Sequence, residues 1–444
     1  MATIGPSPFT WLEFDETGTL VEAGATAALA QLIDDPAIAD LVVLAHGWKN
    51  DRTDATKLYS TLWNNVCPAL ATRQPARIAV AGILWPAKAY TTDLDQAALA
   101  AASGAQTLGV SGRNRSRDLT PAEFEAALAE ISDLFGPSAD TTLALARDAA
   151  GRGINDSRAR ALFTSAAAMA GCNPAASDRE LAAAATPFAD SGNAQAILSG
   201  LSEPPKPHIA DGMGTTQGLA DGIGQVFQGA NAAVVRFLNQ LTYFEMKKRA
   251  GIVGGALGGM VLAGLQPKHP VRLHLIGHSF GARLVTAAAS RLPRAGGLNF
   301  ESLTLLQGAF SHNALAATVT PGVPGAFADV VGRPRGPISI THTHNDSATT
   351  FWYPLASRLA RDVAAALGDA GDMFGAMGAN GAQKLAADAV APENAIEPFK
   401  PVAGKVNGFL ADAYVVADGA TDAHNNIANP TIGRLVASIL DTAA

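Results

Sequence analysis

One serine lies between two glycines at a junction that could make it a nucleophile. The segment from Gly277 to Gly281 reads Gly-His-Ser-Phe-Gly, with an apolar run before it and a helical pattern after it. A sharp turn between a strand and a helix would lift the side chain of Ser279 above the sheet, and the glycines allow the close backbone contacts of such a turn. The alternative is an ordinary turn in which Ser279 caps the helix. We favour a nucleophile that attacks an acyl carbonyl.

A serine nucleophile needs a base that takes its proton and an acid that orients the base. Where the nucleophile lies on such a turn, the acid follows it in the chain and the base comes last. His424 lies late in the chain, in the polar, turn-rich segment GATDAHNNIANP, and we predict that it is the base. The alternative is a solvated loop histidine. The other histidines after Ser279 are His312, His342 and His344.

The preferred acid is Asp346, which follows a predicted strand in the segment THTHNDSATT. An Asx turn that closes the strand is the alternative. His342 and His344 lie two positions apart and could bind a metal, but no third ligand at a recognisable spacing accompanies them, so we interpret them as structural. The rival acids are Asp329, Asp412, Asp418 and Asp422.

An oxyanion that forms on the substrate needs hydrogen-bond donors. The backbone N–H of Phe280, at the start of the predicted helix, is the first candidate. The second donor is expected in a loop after an early strand, where LVVLAHGWKN places His46, Gly47 and Trp48. We predict that the N–H of Trp48 is this donor, that Gly47 lets the backbone turn, and that His46 holds the loop. The alternative is an ordinary strand-end turn.

The elements that would position these residues alternate between strands and helices. Apolar segments rich in β-branched residues predict strands, and near-continuous apolar runs are typical of a parallel sheet covered on both faces. The alternation predicts an α/β fold with a mainly parallel sheet flanked by helices. The predicted strands are residues 9–14, 41–47, 78–85, 271–277, 302–309, 338–344 and the strand-like DAYVV at 412–416.

Composition divides the chain into a core and insertions. Residues 91–231 are alanine-rich and have no strong strand pattern, and Thr120 begins a capping box with proline at the first helical position. A second capping box begins at Ser177, and the glycine-dense segment 211–224 predicts a hinge rather than a phosphate loop. We predict a core of residues 1–90 and 232–444, a helical cap at 91–231 before the nucleophile strand, and a smaller insertion at 350–401.

Charge and cysteine content exclude several classes of protein. The formal net charge is −7 and there is no basic block, which argues against nucleic acid and anionic membrane surfaces as partners. Cys67 and Cys172 are too few for a disulfide framework and predict two free thiols, a single bridge being the alternative. The N-terminal segment has no basic and apolar regions of a secretory signal, so we expect a cytoplasmic protein.

One uncharged stretch of 18 residues, at 250–267, reaches the lower limit of a membrane span. Gly251, Gly255 and Gly259 would share one helical face and permit close packing. We predict a buried helix pressed against a sheet. Membrane association is the alternative that we do not favour.

Together, His46-Gly47, the Gly-x-Ser-x-Gly segment, Asp346 and His424 resemble the α/β-hydrolase superfamily, in particular its lipase and carboxylesterase-like members. The resemblance covers roughly residues 10–90 and 250–440 and implies an α/β-hydrolase fold, with the insertion as a lid over the active site. The chain departs from the family pattern in two ways. Its large insertion precedes the nucleophile strand instead of following the sixth strand, and it has no His-Gly-Gly-Gly motif.

The expected activity is that of a serine hydrolase that cleaves carboxylic esters through an acyl-enzyme, without a metal or organic cofactor. The expected substrate is a small-molecule or lipid-like ester with a hydrophobic acyl or aromatic part. An amidase, a thioesterase or an acyltransferase could use the same residues. A non-catalytic binding protein on this fold is the remaining alternative, and the oligomeric state is left open.

Overall fold

The computed structural model describes residues 2–87, 116–175, 179–189, 191–202, 226–346, 375–392, 397–418 and 421–442. The chain forms two compact units, the first made of residues 1–88, 246–350 and 369–444 and the second of residues 89–245 and 351–368. The predicted capping box at Ser177, the glycine-dense segment 211–224, and residues 350–374 and 393–396 of the smaller insertion lie outside the described residues.

The described strands and helices alternate along much of the chain. The strands are β1 Ala2–Ile4, β2 Ser7–Glu13, β3 Asp40–Ala45, β4 Ile78–Leu84, β5 Ser116–Asp118, β6 Val226–Gln228, β7 Val271–His278, β8 Leu298–Leu306, β9 Ile338–His342 and β10 Val406–Leu410. The helices are α1 Ala25–Ile33, α2 Arg52–Val66, α3 Pro121–Phe135, α4 Asp140–Arg152, α5 Asp156–Ala170, α6 Arg179–Ala189, α7 Ala194–Gly200, α8 Gly229–Ala256, α9 Phe280–Arg291, α10 Met377–Asn380 and α11 Pro430–Thr442.

Eight strands of the first unit form one sheet in the order β1-β2-β4-β3-β7-β8-β9-β10. Only the β1–β2 pair is antiparallel, and every other neighbouring pair is parallel. The predicted α/β class with a mainly parallel sheet is therefore confirmed. Because the strands are parallel, the loops that leave β3, β7, β9 and β10 meet at the same edge, where ligand sites of such sheets lie.

Helices cover both faces of this sheet. Successive residues of a strand point to opposite faces, and β7 shows the division. Ile276 belongs to an apolar core that includes Trp63 of α2 and Leu435 of α11. The next residue, Gly277, contacts α9 instead, because a Cβ atom there would lie 2.2 Å from the carbonyl oxygen of Gly281. The strand that precedes Ser279 is thus covered on both sides, as its apolar sequence predicts.

The apolar stretch at 250–267 begins inside α8 and includes a π-helical turn at Leu257–Leu262, directly after that helix. At Gly254 a Cβ atom would lie 2.2 Å from the carbonyl oxygen of Leu284, and at Gly258 one would lie 2.1 Å from that of Ala288. The stretch is therefore pressed against α9, a helix rather than a sheet. In the described part of the chain, no helix has the length and apolar character that crossing a membrane requires.

The predicted packing face of this stretch is wrong. The prediction placed Gly251, Gly255 and Gly259 in the contact, but a Cβ atom on Gly255 would meet nothing within 4 Å. The physical reason is that glycines recur at a spacing of four in two registers of this helix. The register of Gly254 and Gly258 makes the close backbone contacts with α9, whereas at Gly259 a Cβ atom would lie at an ordinary 3.7 Å from Cβ of Arg291.

The prediction of a strand at 412–416 is also wrong. This segment forms turns, because the side-chain amide of Asn345 donates to the carbonyl oxygens of Asp412 (2.9 Å) and Val415 (3.1 Å). The last strand is β10, which pairs in parallel with β9. Its Asn407-Gly408 pair is typical of turns, but the buried amide of Asn407 is bonded within the fold, for example to the N–H of Val402 at 2.7 Å.

The second unit is mainly helical in its described part. The predicted capping box is confirmed, because the Thr120 hydroxyl accepts from the N–H of Glu123 and the Glu123 carboxylate accepts from the N–H of Thr120. Gly136, with φ of 59°, ends α3. The parallel pairing of β5 with β6 was not predicted, because the sequence shows no strand pattern there. The role of this unit as a lid stays a prediction.

Candidate active site

Ser279 lies on the turn between β7 and α9 in a strained conformation. Its φ is 58° and its ψ is −122°, a region that residues with a side chain rarely adopt. The N–H of Ser279 donates to the carbonyl oxygen of Leu306 at the end of the neighbouring β8, over 3.0 Å. The turn is thus attached to the adjacent strand, and its strain is held by the surrounding fold.

The glycines around Ser279 are required by backbone contacts. In addition to the contact of Gly277 with Gly281, a Cβ atom on Gly281 would lie 2.3 Å from the carbonyl oxygen of Ala45 in β3. At Gly47, a Cβ atom would lie 2.7 Å from Cβ of Ser279. A side chain at any of these positions would push the turn away from β3 or from the loop that follows it.

The imidazole of His424 lies between Ser279 and Asp346. Nε2 of His424 is 2.8 Å from Oγ of Ser279, and Nδ1 is 2.7 Å from Oδ2 of Asp346. A carboxylate only accepts hydrogen bonds, so Nδ1 carries the proton and the lone pair of Nε2 faces the serine hydroxyl. The three predicted residues therefore meet, with the geometry that removal of the Ser279 proton requires.

Burial and charge act in opposite directions on His424. Burial lowers the pKa of the imidazole, but the negative charge and the hydrogen bond of Asp346 outweigh it, and Asp422 adds to their effect. The pKa of His424 therefore lies above its ordinary value. Asp346 is fully buried, where its charge acts with little screening from solvent. The site is arranged to stabilise a charged imidazole beside the serine.

Gln307 donates to Asp346 and is a site residue that the sequence did not predict. One N–H of its side-chain amide donates to Oδ2 of Asp346 and another to the carbonyl oxygen of Gly378, both over 3.2 Å. Its own N–H donates to the hydroxyl of Thr341, and its φ of 47° is unusual for a residue with a side chain. A polar residue directly after the apolar β8 was the available signal, since β8 ends at the same sheet edge as β7 and β9.

The loop after β3 approaches the serine with the residues predicted for the oxyanion site. The ring of Trp48 contacts that of Phe280 edge to face, with centroids 6.3 Å apart. Phe280 is the first residue of α9, where backbone N–H groups point along the helix axis instead of into its hydrogen-bond ladder. The two predicted donors thus belong to neighbouring segments beside Ser279.

His46 forms contacts with the backbone of this loop. Its Nδ1 lies 2.9 Å from the carbonyl oxygen of Gly47, and its ring stacks on Trp85 with centroids 5.7 Å apart. The indole N–H of Trp85 donates to the carbonyl oxygen of His46 over 3.0 Å. Burial lowers the pKa of His46 to about 4, so its ring is neutral near pH 7 and fixes the loop by neutral contacts.

The rival acids contact other groups. Asp412 accepts from the hydroxyl of Thr343 and from both the N–H and Nδ1 of His344, so it holds the loop that carries Asp346. The partners of the remaining acids include Ser290 for Asp329, the N–H of Thr421 for Asp418, and Asn425 for Asp422. Among the other histidines after Ser279, His312 lies beside the side-chain amide of Asn380.

Metal ligands, cysteines and similarity to known proteins add no further candidate for chemistry in the part of the chain that the structure describes. Among the described residues, no group of three or more His, Cys, Asp or Glu side chains is placed to hold a metal ion. Neither Cys67 nor Cys172 forms a disulfide. No protein-family model, curated protein or solved structure matches the chain, so the chemistry of the site is inferred from its own geometry.

Proposed function

We propose that the protein is a serine hydrolase that cleaves carboxylic esters. The observation that carries the proposal is the position of the His424 ring, with one nitrogen 2.8 Å from Oγ of Ser279 and the other 2.7 Å from Oδ2 of Asp346. The strained turn at Ser279 adds support, because backbone strain of this kind clusters at active sites. A serine whose only role was to cap α9 would not need a buried histidine and carboxylate behind it.

In the proposed reaction, Nε2 of His424 takes the proton of Ser279 as Oγ attacks the acyl carbonyl. The tetrahedral intermediate collapses when Nε2 returns that proton to the leaving alcohol, which leaves the acyl group on Oγ. Water then attacks the acyl carbonyl as Nε2 takes one of its protons, and Nε2 returns that proton to Oγ of Ser279 as the C–O bond breaks and the carboxylic acid is released. Asp346 orients the ring and stabilises its charged form at each step.

The backbone N–H groups of Phe280 and Trp48 are the proposed donors to the oxyanion. Their support is the position of Phe280 at the first turn of α9 and the contact between the two rings. Donors of this kind are fixed before the reaction begins, so they stabilise the developing charge without reorganisation. Loss of one such donor lowers kcat by roughly 10²- to 10³-fold in serine hydrolases.

We further propose that the first unit has an α/β-hydrolase fold. Its support is the chain order of Ser279, Asp346 and His424, which is the order of that fold, and the nucleophile on a turn between a central strand and a helix. On the same resemblance, the helical unit would act as a lid. The substrate would be a small-molecule or lipid-like ester with a hydrophobic acyl or aromatic part.

Hydrolysis of short p-nitrophenyl esters tests this proposal. Ser279→Ala is expected to lower kcat by roughly 10⁴-fold or more, as loss of a serine nucleophile does elsewhere. Ser290→Ala, in the same helix α9, is the matched control and should retain activity. Equal hydrolysis by Ser279→Ala and the wild type would refute the assignment. Matched esters, thioesters and amides then separate the esterase from a thioesterase or an amidase, and an added acceptor alcohol reveals an acyltransferase.

A further inference from the structure

His278 makes a contact that the proposed reaction does not use. It is the last residue of β7, immediately before Ser279, and its side chain is buried. Its Nε2 lies 2.9 Å from the backbone carbonyl oxygen of His424, and the two rings have centroids 4.8 Å apart. Two consecutive residues thus contact His424: His278 contacts its main chain, and Ser279 contacts its ring.

The direction of this hydrogen bond fixes the protonation of His278. A carbonyl oxygen only accepts, so Nε2 carries the proton and Nδ1 has a lone pair. In the described part of the structure, that Nδ1 is buried without a hydrogen-bond partner. Burial is the largest cause that lowers the pKa of His278, to about 3, and the charge of His424 lowers it further. His278 therefore stays neutral while His424 gains a proton.

The segment that carries His424 depends on such contacts. Residues 421–429 form neither a helix nor a strand, so regular structure does not fix the main chain there. Other contacts hold the ring of His424, through Asp346, or the main chain further along the segment, where the amide of Asn426 donates to the carbonyl oxygen of Val416 and that of Asn65 donates to the carbonyl oxygen of Ala428. Among the described residues, the bond to the carbonyl oxygen of His424 itself comes from His278.

We propose that His278 is a positioning residue for His424. It fixes the main chain of the base relative to the turn that carries Ser279, so that Nε2 meets Oγ at reacting distance. The inference rests on the proposed function. A shift of about 1 Å at an active site can lower a rate roughly 100-fold, so loss of this donor should reduce kcat. Because the side chain of His278 is buried, KM should change little.

Three variants test the proposal. His278→Phe keeps a ring but removes the donor, and His278→Gln keeps an N–H donor. His274→Gln alters another buried histidine of β7, four residues before His278, which contacts Asp40 and Ser302, and serves as the control. For each variant, kcat and KM are measured with p-nitrophenyl butyrate, and the concentration of competent sites is titrated with a fluorophosphonate.

The expected result is a kcat per titrated site that falls roughly 10- to 100-fold in His278→Phe, with little change in KM. His278→Gln should recover most of this loss, and His274→Gln should have the wild-type kcat per site even if it is less stable. A role in stability alone would change the number of competent sites but not the turnover of each.

The proposal is overturned if His278→Phe has the wild-type kcat per site, or if His278→Gln is as slow as His278→Phe. Should His278→Phe fail to fold, His278→Met also lacks a donor, and the same comparison with His278→Gln decides. A wild-type protein that the fluorophosphonate does not label would refute the proposed function instead, so the two failures are distinguishable.

Discussion

Oγ of Ser279 lies 2.8 Å from Nε2 of His424, although 145 positions separate the two residues in the chain. The fold achieves this approach because β7 and β10 are parallel strands of one sheet, and the loops after them reach the same edge. His424, the proposed base, therefore comes from a loop, whereas Ser279 lies on a turn that is bonded to the neighbouring β8. This difference makes the contacts around His424 the sensitive part of the site.

The first prediction concerns the pH dependence of Asp346→Asn. His424 must be neutral to act as a base, so activity falls as the pH drops through its pKa. Because Asp346 raises that pKa against the effect of burial, its removal should shift the acid limb of kcat/KM to lower pH, while the rate falls by roughly 10⁴-fold. Rate profiles from pH 4 to pH 9 measure both effects.

Asp412→Asn is the control for this change, because Asp412 contacts Thr343 and His344 instead of His424. Its profile should keep the acid limb of the wild type. A shift of the limb in Asp412→Asn, with none in Asp346→Asn, would show that Asp412 is the acid.

The second prediction concerns Gln307, which donates to Asp346 from the end of β8. Gln307→Met keeps the length of the side chain but removes a hydrogen bond to a charged group, and such bonds contribute about 1.5–3 kcal/mol. We expect kcat/KM to fall roughly tenfold or more. In the wild type, the side-chain amide of Gln383 donates to the carbonyl oxygen of Asn380, so Gln383→Met is the control and should have the wild-type kcat/KM. Equal rates for all three proteins would exclude a role for Gln307.

The third prediction concerns stability at the opposite end of the sheet. Asp40, at the start of β3, accepts from Arg73 over 2.9 Å and from Arg272 over 2.7 Å, and Arg73 is only 8% exposed. Asp40→Asn removes the carboxylate charge that both arginines contact and should lower the free energy of unfolding by about 3–5 kcal/mol. Urea denaturation at pH 7 measures this loss, and kcat per competent site should not change.

The pH dependence of this loss has a defined sign. Burial raises the pKa of Asp40, but the bonds from Arg272, His274 and Arg73 outweigh it and hold the pKa well below its ordinary range. The stabilisation is thus present above the unfolded pKa of about 3.9 and is lost as the pH falls below it. The difference between the wild type and Asp40→Asn should narrow on acidification. Asp34→Asn, at an exposed ion pair with Lys268, should have little effect at any pH.

The fourth prediction uses two adjacent glycines of α8. Gly254→Ala places a methyl group against the backbone of α9 and should destabilise the fold by about 1–3 kcal/mol. At Gly255 a Cβ atom meets nothing within 4 Å, so Gly255→Ala should stabilise the helix by about 0.5–1 kcal/mol. Thermal unfolding of the two variants gives the sign of each change, and the same sign for both would contradict the packing described here.

The sequence predicted β3, β7, β8 and β9 from their apolar runs, but it did not predict β10, which precedes the segment of His424. It predicted Ser279 from the glycines on either side of it. Asp346 and His424 followed from their order in the chain. Order alone could not separate Asp346 from Asp412, since both lie at the same sheet edge and only the fold decides which carboxylate reaches the imidazole. Chain order thus predicts which residues are candidates for the site, but it does not predict which of them are in contact.

Other features depend on tertiary contacts that the local sequence does not determine. Gln307 has its role because β8 ends beside β9, and no spacing in the sequence reports that neighbour. The segment 412–416 reads as a strand, but the amide of Asn345 holds it in turns. The contact of α8 with α9 depends on how α8 is rotated about its own axis. Glycines recur at a spacing of four in two registers of α8, so the sequence does not determine which register faces α9.

The most direct test of the central claim is to label the protein with a fluorophosphonate and to map the modified peptide by mass spectrometry. We expect a single adduct on Ser279, no labelling of Ser279→Ala, and much slower labelling of His424→Ala. An unlabelled wild-type protein, or an adduct on another serine that persists in Ser279→Ala, would contradict the central claim.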